Sequence, residues 1–106
     1  MNSEYVVVLT TLPGDADAAA FCHALVESRL AACANILPIM ESVYRWEGDV
    51  QHDSERQVVI KTARDRLILL WEKVRELHPY DVPEFIVLPI IDGNDAYLRW
   101  IGDSTS

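Results

Sequence analysis

The sequence predicts an α+β fold of the split βαβ, or ferredoxin-like, sandwich type, on three observations. Apolar β-branched runs alternate with stretches of helical spacing in the order β-α-β-β-α-β. The two central extended runs meet at Glu47-Gly48-Asp49, a hairpin turn signal. Each of the two helical stretches lies between extended runs, so it serves as a crossover between parallel strands.

Each element follows from local chemistry. Residues 5–11 form a continuous β-branched run that reads as a central strand buried on both faces, closed by Leu12-Pro13-Gly14-Asp15. Asp15 is a helix N-cap residue, and residues 16–30 place Ala18, Phe21, Cys22, Leu25 and Val26 at helical spacing. Residues 32–46 are extended, with Pro38 forcing a bulge or an edge position. Residues 50–62 return, polar at Gln51, His52, Asp53 and Ser54 and apolar at Val58, Val59 and Ile60. Thr62 or Asp65 caps a second helix with Leu67, Leu70, Trp71, Val74 and Leu77 on one stripe, and Pro79 ends it. Residues 85–88 are the last strand. Asp92-Gly93-Asn94 turns the chain into a short C-terminal helix over 96–101.

The hairpin does not suit a lone chain. Its arms span about 15 and about 13 residues, roughly twice the usual strand, and the two helices cannot cover the distal part. An extended central hairpin of that kind is expected to pack on, or add strands to, neighbouring subunits.

Composition sets outer limits. With 106 residues, half of them apolar, the chain reads as a single domain over 1–106. Nine Lys and Arg against 17 Asp and Glu leave a net charge of −8, which repels phosphate backbones, so nucleic acid is not expected as a partner. Cys22 and Cys33 make no disulfide framework and suit a reducing compartment. The first four residues, Met1 to Glu4, carry no basic leader, and the apolar run after them is too short for a membrane span, so a cytoplasmic location without membrane attachment is expected.

Three stretches carry chemistry. In Leu30-Ala-Ala-Cys-Ala-Asn35 the alanines permit close approach, and Cys33 is either a small buried apolar group or a soft metal ligand. In His78-Pro-Tyr-Asp-Val-Pro-Glu84 each proline drives the preceding residue out of helix, fixing the directions of His78, Tyr80, Asp81 and Glu84. That segment is either a rigid connector or an imidazole–carboxylate environment for a metal or a ligand. On the hairpin arms, Tyr44 and Trp46 suggest an interface, and Lys61, with Glu55 before it, a salt bridge or a small-anion contact. Residues 92–95 lack the full calcium-loop pattern. No Gly-x-Ser-x-Gly elbow, His-Glu-x-x-His pair or dinucleotide fingerprint is present, so the chain is not expected to be an enzyme or to carry an organic cofactor.

Taken in order, Leu30-Ala-Ala-Cys-Ala-Asn35, Tyr44-Arg-Trp-Glu-Gly48, Ile60-Lys61-Thr62, His78-Pro-Tyr-Asp-Val-Pro-Glu84 and Tyr97-Leu-Arg-Trp100 closely resemble the divalent-cation tolerance protein CutA family, from Val6 to Trp100. The resemblance implies a ferredoxin-like subunit in a tight homotrimer, associated with tolerance to copper and other divalent cations. It implies Cys33 and His78 as metal contacts. Asn35, Tyr44, Trp46, Glu55, Lys61, Tyr80 and Glu84 match other signature positions, some of them near an intersubunit cleft. Two positions depart from the pattern: Thr10 stands where some relatives carry Cys, and Asp81 where Glu is usual. The fold also resembles trimeric PII-type signalling proteins. That implies a second reading, a regulatory trimer binding a small anionic effector at 78–84 with Lys61 and passing the signal to a partner protein. A third is a trimeric scaffold without a ligand.

Overall fold

The computed structural model describes residues 4–106; Met1 to Ser3, part of the stretch read for a leader, lie outside the described residues. The elements run β1 (Tyr5–Pro13), α1 (Ala18–Glu27), β2 (Cys33–Ile36), β3 (Met40–Trp46), β4 (Asp49–Ala63), a single 3-10 turn (Arg64–Arg66), α2 (Leu67–Leu77), β5 (Ile86–Pro89) and α3 (Asp95–Ser104). The sheet order is β2-β4-β1-β5, with β3 continuing beside the distal half of β4, and every pairing is antiparallel. Strands β1 and β2 therefore run parallel with β4 between them, and β4 and β5 run parallel with β1 between them. Helices α1 and α2 make those two crossovers.

The inner face holds the core. Val6, Val8 and Leu12 of β1 and Val58 and Ile60 of β4 meet Phe21 and Leu25 of α1 and Leu70 and Val74 of α2. Burial alternates strictly along β1, so the expectation of a strand enclosed on both faces is corrected: its outward residues are only half-covered within the chain. Helix α3 crosses that outer face at one end, where Gly102 sits so close to Tyr5 that a Cβ would lie 3.3 Å from the ring.

Local departures from the expected elements have physical causes. The cap of α1 is Asp17, accepting the Ala20 N–H at 3.0 Å, because Asp15 lies in the turn closed by Ala16 N–H to the Pro13 carbonyl. The helix stops at Glu27, short of residue 30, since Arg29 adopts a φ of 61° and Leu30 N–H returns to the Leu25 carbonyl. Val26 and Leu77 fall off the buried stripes and are exposed. Neither Thr62 nor Asp65 caps α2, which grows out of the 3-10 turn without a side-chain cap. The Thr62 hydroxyl instead donates to the Leu30 carbonyl at 2.7 Å. Helix α3 is longer than residues 96–101 and is capped by Asn94.

The hairpin turns at Glu47 and Gly48, with φ of 50° and 85°, the two left-handed positions of a type I′ turn. Register is Cys33 opposite Lys61 in β2 but Met40 opposite Glu55 in β3, so the β2–β3 arm carries one extra residue around Pro38.

Candidate functional site

The residues singled out above fall into two groups. On the outer face at the edge strand, Cys33 stands opposite Lys61, its thiol 3.7 Å from Asn35 Oδ1, and the Lys61 ammonium donates to the same Asn35 oxygen. The second group lines a groove of about 850 Å³ between the hairpin and the segment after α2. Tyr44, Trp46, Glu55, Tyr80, Asp81 and Glu84 all border it.

Strand parity builds one wall. Met40, Ser42, Tyr44 and Trp46 share a face with Glu55 and Gln57, because opposed residues of an antiparallel pair point the same way. Proline chemistry builds the other. Strand β5 pairs β1 only from Val6 to Leu9, leaving the Thr11 carbonyl free at the edge. His78, extended ahead of Pro79 (φ −80°, ψ 135°), fills that gap: its Nε2–H donates to the Thr11 carbonyl at 2.6 Å. Its Nδ1 accepts the Tyr80 N–H at 3.1 Å, which fixes the proton on Nε2. The ring is buried, edge-on to Phe21 and 5.0 Å from the Tyr80 ring. Tyr80 is thereby aimed across the groove, and its hydroxyl donates to Glu55 Oε2 at 2.8 Å.

Glu55 is 6% exposed, and Tyr80 is the side chain that satisfies it. Burial, and then the hydrogen bond to Glu55, hold the Tyr80 phenol well above its ordinary pKa. The Tyr44 phenol is also raised, chiefly by its hydrogen bond to Asp53. Gln57 ties the two walls, donating to the Thr10 carbonyl at 2.7 Å and to Glu84 Oε2 at 2.8 Å. Gln57 and Thr11 are site residues that sequence reasoning missed. Gln57 had a signal, since by strand alternation it shares the face of Glu55 and Lys61.

Two expected associations are absent within the chain. Cys33 lies at the level of Lys61 and Val7, whereas His78 contacts Thr11, four residues further along β1, about 13 Å at the strand rise. Both nitrogens of His78 are used by backbone groups, so it has no lone pair for a metal, and Cys33 and His78 do not fit a shared copper ion in one chain. Among the described residues no three His, Cys, Asp or Glu side chains converge as metal ligands. Lys61 likewise stands outside the groove, so residues 78–84 lack the counter-charge that an anionic effector was expected to find there. Thr10, the position where some relatives carry Cys, faces the core, and among the described residues its buried hydroxyl has no hydrogen-bond partner. Asp81 borders the groove at its exposed side.

Residues 6–104 match the family described as CutA1 divalent ion tolerance protein. The chain is 48% identical to the divalent-cation tolerance protein CutA of Thermus thermophilus over 93% of its own length and 96% of that protein's. It is also 48% identical to the chloroplastic protein CutA of Arabidopsis thaliana, of which it spans 55% while 94% of its own length is covered. Among solved structures, the Thermus thermophilus divalent cation tolerance protein superimposes with a TM-score of 0.92 at 46% identity, covering 96% of this chain and 99% of that one. CutA1 from Oryza sativa does so with a TM-score of 0.93 at 44% identity, covering 99% and 96%. The helix-backed antiparallel sheet and its overhanging hairpin, found here from pattern and geometry, are thus shared along nearly the whole chain with these relatives, and the chain belongs to the CutA1 divalent ion tolerance protein family.

Proposed function

We propose that this chain serves divalent-cation tolerance as a homotrimer of ferredoxin-like subunits, and that it meets a soft cation such as copper through Cys33. The observation that carries the assembly is the uncovered apolar surface of the hairpin and outer sheet face. Val43 and Val50 are 68% and 64% exposed on the ribbon, and Ile86 and Leu88 stand out from the outer face of β5. A two-stranded ribbon alone is marginal in water, and neighbouring copies supply the missing cover. The involvement of a cation is supported by the name of the Thermus thermophilus relative. Cys33 supports it chemically, as a half-buried free thiol on the outer face. His78 is assigned to positioning Tyr80 instead of binding the ion. Two free thiols, Cys22 and Cys33, favour the reducing cytoplasm as the setting.

A light-scattering mass followed by calorimetric titration with Cu²⁺ against glycine tests this reading. The expected result is a mass of three chains and saturable binding that Cys33→Ser removes and His78→Ala leaves in place. A monomer mass ends the assembly reading. Copper affinity unchanged in Cys33→Ser ends the assignment of Cys33.

A further inference from the structure

The groove between the ribbon and the segment after α2 combines two surfaces that favour positive charge. One is aromatic, from Tyr44, Trp46 and Tyr80; the other is carboxylate, from Glu55 at the floor with Asp81 and Glu84. Among the described residues no Lys, Arg or His lines it, so within the chain its lining carries negative charge alone. Its volume, about 850 Å³, falls within the range of small-molecule sites. The aromatic walls are oriented in advance. Tyr44 donates its hydroxyl to Asp53 and Tyr80 donates to Glu55, and His78 fixes the backbone of Tyr80 from behind. Both phenols are held protonated, so the rings add no charge of their own to the walls. Tyr44 and Trp46 nevertheless remain partly bare within the chain.

The spacing of the acids decides which kind of cation fits. A divalent ion needs several oxygens gathered about one point, and among the described residues no such cluster exists. Glu55 and Glu84 already accept hydrogen bonds from Tyr80 and Gln57, so each carboxyl group is held at a different part of the wall. Carboxylates distributed around aromatic faces suit a charge attached to an apolar body, with the ring quadrupoles taking the cation's flank. We propose that this groove binds a small organic ammonium ion, its apolar portion against Tyr44, Trp46 and Tyr80 and its charge toward Glu55, Asp81 and Glu84. This site is separate from Cys33 and does not rest on the copper reading.

Benzylamine and its neutral counterpart benzyl alcohol test the proposal, titrated into the full chain in its native assembly and followed by the indole NMR signal of Trp46. Benzylamine is expected to bind at least about tenfold more tightly than the alcohol. Asp81→Asn and Glu84→Gln are each expected to weaken benzylamine severalfold while leaving the alcohol unchanged, and Trp46→Leu to weaken both. Glu55→Gln keeps an acceptor for Tyr80 and is expected to lower benzylamine affinity without shifting the melting temperature. Equal binding of the two compounds would reduce the groove to an apolar cleft and overturn the proposal. So would displacement of benzylamine by Mg²⁺ at matched ionic strength, which would make it a metal site. Absence of binding in the wild-type assembly would mean a neighbouring copy occupies the groove, and would equally overturn it.

Discussion

The two halves of β4 are one strand in two environments. From Val58 to Thr62 its inward side chains are completely enclosed beneath α1 and α2. Through Val50, His52 and Ser54 the same face of the same strand is exposed, with β3 as its paired strand. Backbone pairing is equally regular in both halves. The difference shows that ladder hydrogen bonds and a well-formed turn give the ribbon its shape, whereas apolar burial gives the proximal half its stability.

Substitutions at matched positions sharpen that contrast. Ile60→Ala opens a cavity in the enclosed half and is expected to cost about 2–5 kcal/mol in urea unfolding. Val50→Asp, on the same strand, is expected to leave the far-ultraviolet circular dichroism unchanged and to reduce the light-scattering mass below three chains. A fold lost in Val50→Asp, or a mass retained, would break the division between a folding half and an assembling half.

His78 sits at the seam between core and groove. Removing it in His78→Ala leaves the Thr11 carbonyl and the Tyr80 N–H without their partners, and the expected loss is about 2 kcal/mol. Loss of Tyr80 order, read from its ring NMR signals, should accompany it. A smaller change of opposite sign is expected in the core: Thr10→Val removes a buried hydroxyl that has no partner among the described residues and should raise stability by about 1 kcal/mol.

The least effect at neutral pH belongs to Cys22. Burial, with Cys33 nearby as a lesser cause, raises its thiol pKa from 9.0 to about 11. The unfolded chain releases this proton first, so it binds fewer protons than the folded chain in that window. Stability is therefore expected to fall as pH rises from 9.0 to about 11, and Cys22→Ala should flatten the fall. An identical slope in the variant would place the thiol in contact with water.

Much of this arrangement was legible in the residues. Pro38 announced the break between β2 and β3, Glu47-Gly48 the turn, and Pro79 the end of α2, because proline and glycine act through their own backbone limits. The meeting of Tyr80 and Glu84 with Tyr44, Trp46 and Glu55 in one groove was implied only by the family resemblance, since nothing in the spacing of these stretches joins them. What pattern could not supply was where residues 79–84 lie along the sheet. Lys61 and Glu55 share a face of one strand, yet six residues separate them by about 20 Å, so only Glu55 meets that segment. The cap of α1 was ambiguous for a different reason. Asp15 and Asp17 are chemically equal, and the turn hydrogen bond from Ala16 to Pro13 chose between them.

The single extra residue around Pro38 works like a frame shift in a message. Upstream of it, odd-numbered residues such as Cys33 and Asn35 face outward; downstream, the even-numbered Met40, Ser42, Tyr44 and Trp46 take that side. Excising one residue there would present Val43 and Arg45 to the groove and turn Tyr44 and Trp46 to its back, with every side chain retained. The aromatic wall thus depends on a count in the backbone as much as on the identity of any side chain, and an alignment that closes this gap loses the meaning of the motif beyond it.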